Sequence, residues 1–190
     1  MKSIKETAMT IAIKNAIKYA RKDFFNNAPK ILNLLEMADV KKVNRSTYAG
    51  LHKVLDDPNN NWMIFAKKLI CDTNQSVIEK LVPPALNVAI NSYSKRMKAI
   101  EEHGCNVPWA ILMDPTAACN LKCKGCWAAE YGKNSQLSYD DLARIIREGK
   151  ELGTYMYLYT GGEPTIRRDD LMRLCRENPD CIFMSFTNGT

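Results

Sequence analysis

The second half of this chain alternates short apolar runs with amphipathic segments, and this alternation limits its fold more than any other feature. Three apolar runs have the length of buried strands: residues 109–113, 155–159 and 181–186, and the three tyrosines of the second run are expected to be core residues. Two segments between them have the helical spacing of apolar residues: 138–152, which Ser138 is expected to cap and Gly153 to end, and 169–177. Strands separated by helices pair in parallel through right-handed crossovers. We therefore predict an α/β sheet or barrel over residues 106–190.

The first hundred residues show helical spacing almost throughout, so we predict an all-helical N-terminal domain over residues 1–105. One face of the first helix is expected to be apolar through Ile13, Ile17, Ala20 and Phe24. Helix starts, breaks and ends are expected at Pro29, at Ser46 or Thr47, at the pair Pro83-Pro84 and at Gly104.

The formal net charge of +6 is concentrated at the N-terminus. Residues 1–30 carry seven Lys or Arg and two Asp or Glu, whereas residues 31–190 are nearly balanced. A balanced body argues against nucleic-acid binding. We interpret the basic residues of segment 1–30 as the solvated face of a helix. The alternative is peripheral contact with an anionic membrane surface.

The chain contains seven cysteines, an odd number of which three are clustered. This usage favours metal binding in a reducing compartment over a disulfide framework. No run approaches the roughly 18 apolar residues of a membrane span, and the N-terminus lacks the pattern of a secretion signal. A cytoplasmic location is therefore expected. The isolated cysteines are predicted to be buried, apolar-like residues: Cys71, Cys175 and Cys181.

The clustered cysteines, Cys119, Cys123 and Cys126, follow the first predicted strand. Three thiolates within eight residues can hold three irons of a four-iron cluster and leave the fourth iron open for a ligand. A structural zinc site is an alternative, with His103 or Cys105 as its fourth ligand. An electron-carrying ferredoxin would need a fourth cysteine close by, and the loop contains none.

Two further motifs follow the second and third predicted strands. They are the segments Thr160-Gly161-Gly162-Glu163-Pro164 and Thr187-Asn188-Gly189-Thr190. Parallel α/β folds build their sites from the loops at the carboxyl ends of strands, so we expect both motifs to meet the cysteine loop in space. Adjacent glycines allow a ligand to approach the backbone closely, and the following glutamate or a carbonyl can accept a hydrogen bond from a cationic amine.

Together and in this order, the three motifs resemble the first half of a radical S-adenosylmethionine (radical SAM) enzyme. The resemblance covers about residues 107–190. It implies a partial (β/α) barrel with the first three strand–helix units. It also implies that Cys119, Cys123 and Cys126 hold a [4Fe-4S] cluster whose free iron binds S-adenosylmethionine. One-electron cleavage of that cofactor would give a 5′-deoxyadenosyl radical, which abstracts hydrogen from a substrate.

The resemblance also assigns roles to single residues near the cluster. It implies that Gly161, Gly162 and Glu163 meet the methionine amino group, with Pro164 shaping the turn. Asn188 would lie near the ribose or the substrate. The family often has an aromatic residue where this chain has Gly125, so Trp127 either supplies that ring or packs against the cluster loop.

The expected partners follow from the same resemblance: a small electron donor such as flavodoxin or ferredoxin, and a substrate that the motifs do not identify. The family core usually has six strand–helix units, so we expect this chain to be part of a longer protein and inactive alone. The stretch 108–132 is similar to a subgroup with a helical N-terminal extension. A non-enzymatic zinc or iron–sulfur binding module is the alternative function.

Overall fold

A computed structural model describes residues 4–39, 45–130 and 135–190. The chain divides into two compact units, Met1–Pro83 and Pro84–Thr190. Each unit has its own packed residues and is considered by itself. The domain boundary near residue 105, drawn from the change in sequence pattern, stays a prediction.

The first unit is helical in its described parts, as its apolar spacing predicts. Its helices are α1 (Ile4–Lys22), α2 (Phe24–Ala38), α3 (Arg45–Leu55), α4 (Asn61–Asp72) and most of α5 (Gln75–Leu86). A small core forms where Ala20, Phe24 and Met63 meet, with Ile31 and Val54 packed against them. Cys71 also lies against this core. It was predicted to be buried and is half-buried.

The predicted start of the second helix at Pro29 is wrong, because α2 already begins at Phe24. Asp23 caps this helix: its side chain accepts a hydrogen bond from the backbone N–H of Asn26. Pro29 lies inside the helix, where its fixed φ is helical and only one ladder hydrogen bond is lost. The informative signal was the capping aspartate rather than the proline.

Two other expected helix boundaries also differ. Helix α3 is described from Arg45 onward, so Ser46 and Thr47 lie inside the helix and do not cap it. Helix α5 continues through the Pro83-Pro84 pair, which was expected to interrupt it, because two prolines remove hydrogen-bond donors without leaving helical φ. A π-helical turn, Asn87–Asn91, follows directly and leads into α6 (Ser92–His103). Gly104 ends α6 with a left-handed φ of 65°, as predicted.

The second unit contains a three-stranded parallel sheet in the order β1-β2-β3. Its elements after α6 are β1 (Ile111–Thr116), α7 (Tyr139–Leu152), β2 (Met156–Gly161), α8 (Arg168–Glu177) and β3 (Ile182–Ser185). This confirms the predicted alternation of strands and helices. Ser138 caps α7 by accepting from the N–H of Asp141, and Gly153 ends α7 with a φ of 98°, both as predicted.

The first strand is displaced from its predicted position. It was expected over residues 109–113 but runs from Ile111 to Thr116, and Trp109 is exposed. Pro115 lies within the strand, where the pairing register shifts between Met113 and Thr116. A proline is tolerated here because β1 is an edge of the described sheet and needs fewer hydrogen-bond donors. The cysteine loop consequently begins at the very end of β1.

Helices α7 and α8 pack on one face of the sheet and form the main core of this unit. Its buried members are Met113, Leu142, Ile146, Tyr155, Tyr157, Tyr159, Leu171, Leu174 and Cys181. The prediction that the three tyrosines are core residues is therefore confirmed. Burial raises the pKa of the Cys181 thiol to about 12, so this cysteine stays neutral and apolar-like.

Tyr157 and Tyr159 offer a matched test of this core. The Tyr157 hydroxyl lies 2.9 Å from the carbonyl of Ile146 and 3.0 Å from that of Thr154, whereas the buried Tyr159 hydroxyl has no partner among the described residues. We expect Tyr159→Phe to raise the free energy of unfolding by about 1 kcal/mol and Tyr157→Phe to lower it by a similar amount. Urea denaturation measures both; equal losses in the two variants would contradict the assignment.

Within the described residues, no helix is long and apolar enough to cross a membrane. On α1, Ile13 and Ile17 are buried as predicted, whereas Ile11 is 54% exposed. Residues 1–3 lie outside the described residues. Peripheral membrane contact through residues 1–30 stays a prediction.

Candidate functional site

The turn after β2 is hydrogen-bonded to the beginning of the cysteine loop. The N–H of Gly162 donates to the carbonyl of Thr116 at 2.9 Å, and the N–H of Glu163 donates to the carbonyl of Ala118 at 2.8 Å. Ala118 directly precedes Cys119 in the chain. The structure thus brings two of the three motifs together at the carboxyl ends of neighbouring strands.

The two glycines of this turn make room for backbone. Gly161 has a left-handed φ of 98°, and a Cβ there would lie 2.8 Å from the carbonyl oxygen of Thr116. A Cβ on Gly162 would lie only 2.1 Å from the carbonyl oxygen of Ala118. The close approach that we expected from a ligand is made at position 162 by the cysteine loop itself.

The side chain of Glu163 is buried and points into the protein, with 2% of the residue exposed. One carboxylate oxygen accepts hydrogen bonds from the N–H and hydroxyl of Thr165 and from the hydroxyl of Thr187. The other accepts from the N–H of Asn188 at 2.8 Å. Burial alone would raise the pKa of Glu163, but these hydrogen bonds outweigh it and lower the pKa to about 2.

The depressed pKa of Glu163 predicts a dependence of stability on acid. Its ionised hydrogen bonds contribute fully above the unfolded value of 4.5 and are lost as the pH falls through about 2. We expect Glu163→Gln to be less stable than the parent chain at neutral pH by on the order of 3 kcal/mol, with the difference shrinking between pH 4.5 and 2. Urea titrations of both proteins across this range measure it. A difference that is independent of pH would contradict it.

The segment after β3 reaches both other loops. Besides the bond from its N–H to Glu163, Asn188 donates through its side-chain amide to the Oδ1 of Asn120 at 2.9 Å. Asn120 in turn donates to the hydroxyl of Thr190 at 2.8 Å. Pro164 is fully buried and opens a 3-10 turn, Pro164–Arg167. Asn120 and Thr187 were not predicted as site residues, although both are polar and lie within the cysteine loop and the motif after the third strand.

Arg167 was also not predicted as a site residue. Its side chain binds the end of β1, where the cysteine loop begins. Its guanidinium donates to the carbonyl of Pro115 at 3.0 Å and also to the carbonyl of Leu137. An ion pair with Asp170 at 2.6 Å holds the guanidinium in place. A charge-assisted hydrogen bond from Arg167 therefore holds the end of β1, which leads into the cysteine loop.

The cysteine loop is the most open part of the site. Cys123 is exposed, Cys119 and Cys126 are half-buried, and the N–H of Leu121 donates to the Cys119 sulfur at 3.4 Å. Gly125 takes a left-handed φ of 75° immediately before Cys126. Trp127, which is 51% exposed, starts the 3-10 turn Trp127–Glu130.

Among the described residues, no three Cys, His, Asp or Glu side chains lie close enough together to hold a metal ion. This holds for the three loop thiols as well as for His103 and Cys105, so among the described residues neither a cluster site nor a zinc site is preformed. The donor set nevertheless fits a metal–sulfur group, because all three thiols are free, lie on one loop and are at least partly accessible. Binding would require the loop to draw its sulfurs together, as is usual when a metal orders its own site.

The comparisons with known proteins fall on this same region. The sequence profile described as the Radical SAM superfamily matches residues 113–190. Residues 113–190 thus match this superfamily, and we call them the radical SAM segment. Enzymes of the superfamily use a [4Fe-4S] cluster and S-adenosylmethionine. The radical SAM segment contains all three motifs and the whole of the sheet except its first two residues.

The chain also resembles several bacterial enzymes named GTP 3′,8-cyclase. The cyclase of Pectobacterium atrosepticum is 41% identical over 81 residues, which are 39% of this chain and 25% of the cyclase. That of Yersinia pestis is 41% identical over 79 residues, covering 39% and 24% of the two chains. The chain thus spans about a quarter of the length of these curated relatives. No solved structure matches it significantly.

Proposed function

We propose that this chain carries the cluster-binding part of a radical SAM enzyme that acts in the reducing cytoplasm. The observation that carries the proposal is the hydrogen-bonded contact between the three-cysteine loop and the glycine turn. Through the N–H groups of Gly162 and Glu163, the chain holds its metal-binding loop and its proposed cofactor-binding turn side by side. Parallel α/β folds bind ligands at the carboxyl ends of their strands, so a metal loop paired with a glycine-rich strand end is typical of a cofactor site.

In this proposal, the thiolates of Cys119, Cys123 and Cys126 each hold one iron of a [4Fe-4S] cluster and leave the fourth iron open. When bound, the cluster and S-adenosylmethionine would supply one-electron reductive cleavage of the cofactor, with the electron coming from an external donor, and so the capacity to abstract hydrogen from a substrate. The Leu121 N–H donates a hydrogen bond to the Cys119 sulfur, and hydrogen bonds of this kind tune the reduction potential of iron–sulfur clusters.

The remaining predicted residues are proposed to surround the cofactor. The turn Gly161–Pro164 lies beside the cysteine loop and offers backbone polar groups to the methionine end. Asn188 is proposed to lie toward the ribose or the substrate, and Trp127 to supply an aromatic surface next to Cys126. A small electron donor of the flavodoxin or ferredoxin type would deliver the electron through the open side of the loop, where Cys123 is exposed.

The likeness to the GTP 3′,8-cyclases supports the cofactor chemistry and not a particular substrate. The matched stretch is about a quarter of the cyclase. We therefore propose hydrogen abstraction from an organic substrate. The GTP in the relatives' name is not assigned to this chain.

Anaerobic reconstitution of the purified chain with iron and sulfide tests the proposal. We expect a brown protein with about four irons per chain, as a cubane cluster requires. Cys105→Ala is the matched control, because it removes an exposed cysteine outside the loop and should bind the same amount of iron. A colourless protein with stoichiometric zinc would instead support the non-enzymatic binding module.

A further inference from the structure

Side-chain hydrogen bonds join the ends of all three strands into one network, which we call the three-loop network. Its members are Asn120 in the cysteine loop, Glu163 in the glycine turn, and Thr187, Asn188 and Thr190 after β3. Residues 120 and 188 are 68 positions apart, so the link is a property of the fold rather than of local sequence. A network of this kind fixes the relative position of the loops that it connects.

The Glu163 carboxylate is held by the protein on both of its oxygens. It accepts four hydrogen bonds, from the N–H and hydroxyl of Thr165, the hydroxyl of Thr187 and the N–H of Asn188. Three of these bonds reach one oxygen and the fourth reaches the other, so both orient the side chain within the protein. The residue is also 2% exposed, which leaves almost no surface for a cofactor to contact.

The Asn188 side chain continues the connection toward the cysteines. While its backbone N–H is held by Glu163, its amide donates to Asn120, the residue next to Cys119. Its side-chain oxygen accepts from the N–H and the hydroxyl of Thr190, at 3.0 and 2.8 Å. A path of hydrogen bonds thus runs from the glycine turn through the end of β3 to the cluster loop.

We propose that Glu163 and Thr187 are positioning residues that set the glycine turn against the cysteine loop through Asn188 and Asn120. The proposal rests on the proposed function for the ligands that this geometry serves. The Glu163 carboxylate is assigned to this network of protein hydrogen bonds. A change in the network should therefore alter cofactor affinity without altering the number of thiol ligands.

Two threonines provide a matched pair of variants. Thr165→Val and Thr187→Val each remove one hydroxyl that donates to the same oxygen of Glu163, at 2.5 and 2.8 Å. Only Thr187 lies on a different loop from Glu163, so only its loss cuts a link between loops. Valine has nearly the shape of threonine, so neither change creates a cavity.

The first measurement is hydrogen exchange at the Asn188 amide in the metal-free chain. We expect Thr187→Val to speed exchange about fivefold to tenfold and Thr165→Val to change it less than twofold, since one net hydrogen bond corresponds to roughly that factor. The second measurement is the titration of S-adenosylmethionine into the reconstituted chain, followed by the electron paramagnetic resonance of the reduced cluster. We expect Thr187→Val to weaken cofactor binding about fivefold with unchanged iron content, and Thr165→Val to bind normally.

Equal effects of the two variants on exchange and on cofactor affinity would overturn the positioning role. So would a Glu163→Gln variant that loses cofactor affinity while the Asn188 amide exchanges as in the parent chain, because that result would indicate direct contact. If the parent chain assembles no cluster, the proposed function fails. The exchange comparison in the metal-free chain would still decide whether the three-loop network holds the loops together.

Discussion

Alanine at position 162 is expected to displace the cysteine loop and to prevent cluster assembly. The added Cβ would lie 2.1 Å from the carbonyl oxygen of Ala118 and 2.7 Å from the backbone of Ala117, and backbone atoms cannot move aside as a flexible side chain can. The hydrogen bond from the Glu163 N–H to Ala118 would break in the same movement. We expect a loss of about 3 kcal/mol in the free energy of unfolding, at the upper end for overpacking, and little bound iron after reconstitution.

Gly50 provides the control for this variant. It lies within α3, and an added Cβ there would meet no other atom within 4 Å among the described residues. Gly50→Ala should raise the free energy of unfolding by up to about 1 kcal/mol, because alanine favours a helix over glycine. Urea denaturation and iron analysis of both variants give the comparison. A Gly162→Ala protein with the stability and iron content of the parent would show that the turn is not packed against the loop.

The second large effect is expected from Cys123→Ala, and it should have a different character. Cys123 is exposed, so the metal-free variant should unfold at the same urea concentration as the parent chain. Its iron content after anaerobic reconstitution should nevertheless fall from about four to near zero, because two thiolates hold a four-iron cluster poorly.

The contrast between the two variants separates folding from metal binding. Gly162→Ala should change both stability and iron content, whereas Cys123→Ala should change iron content alone. Cys119→Ala and Cys126→Ala should resemble Cys123→Ala in iron content. A Cys123→Ala protein that still binds about four irons would remove this residue from the ligand set and would direct attention to another cysteine.

Local signals in the sequence predicted much of the second unit. The cap at Ser138 and the terminal glycine at Gly153 depend on a few neighbouring residues, and both were placed correctly. Edges that depend on the sheet were placed less well. The strand β1 extends past Pro115 because this strand is an edge, and no local pattern states which strand lies at an edge.

The sequence predicted that the three motifs meet at the strand ends, but it did not predict how their residues contact one another. The adjacency of motifs at strand ends follows from parallel topology, and the bonds from the Gly162 and Glu163 N–H groups agree with it. The atoms that fill the space above Gly162 could not be predicted, since they belong to a loop more than 40 residues away in sequence. The hydrogen bonds from Thr187 and Asn188 to Glu163 also join residues that are distant in sequence, so they could be identified only from the packed sheet.

The central claim is that three thiolates of this chain hold a four-iron cluster with one iron left open beside the glycine turn. The most direct test is the electron paramagnetic resonance spectrum of the reduced, reconstituted chain before and after addition of S-adenosylmethionine. An open iron that takes the amino and carboxylate groups of the cofactor should change the g-values of the cluster signal. A four-iron signal that S-adenosylmethionine leaves unchanged, even at saturating concentration, would contradict the claim.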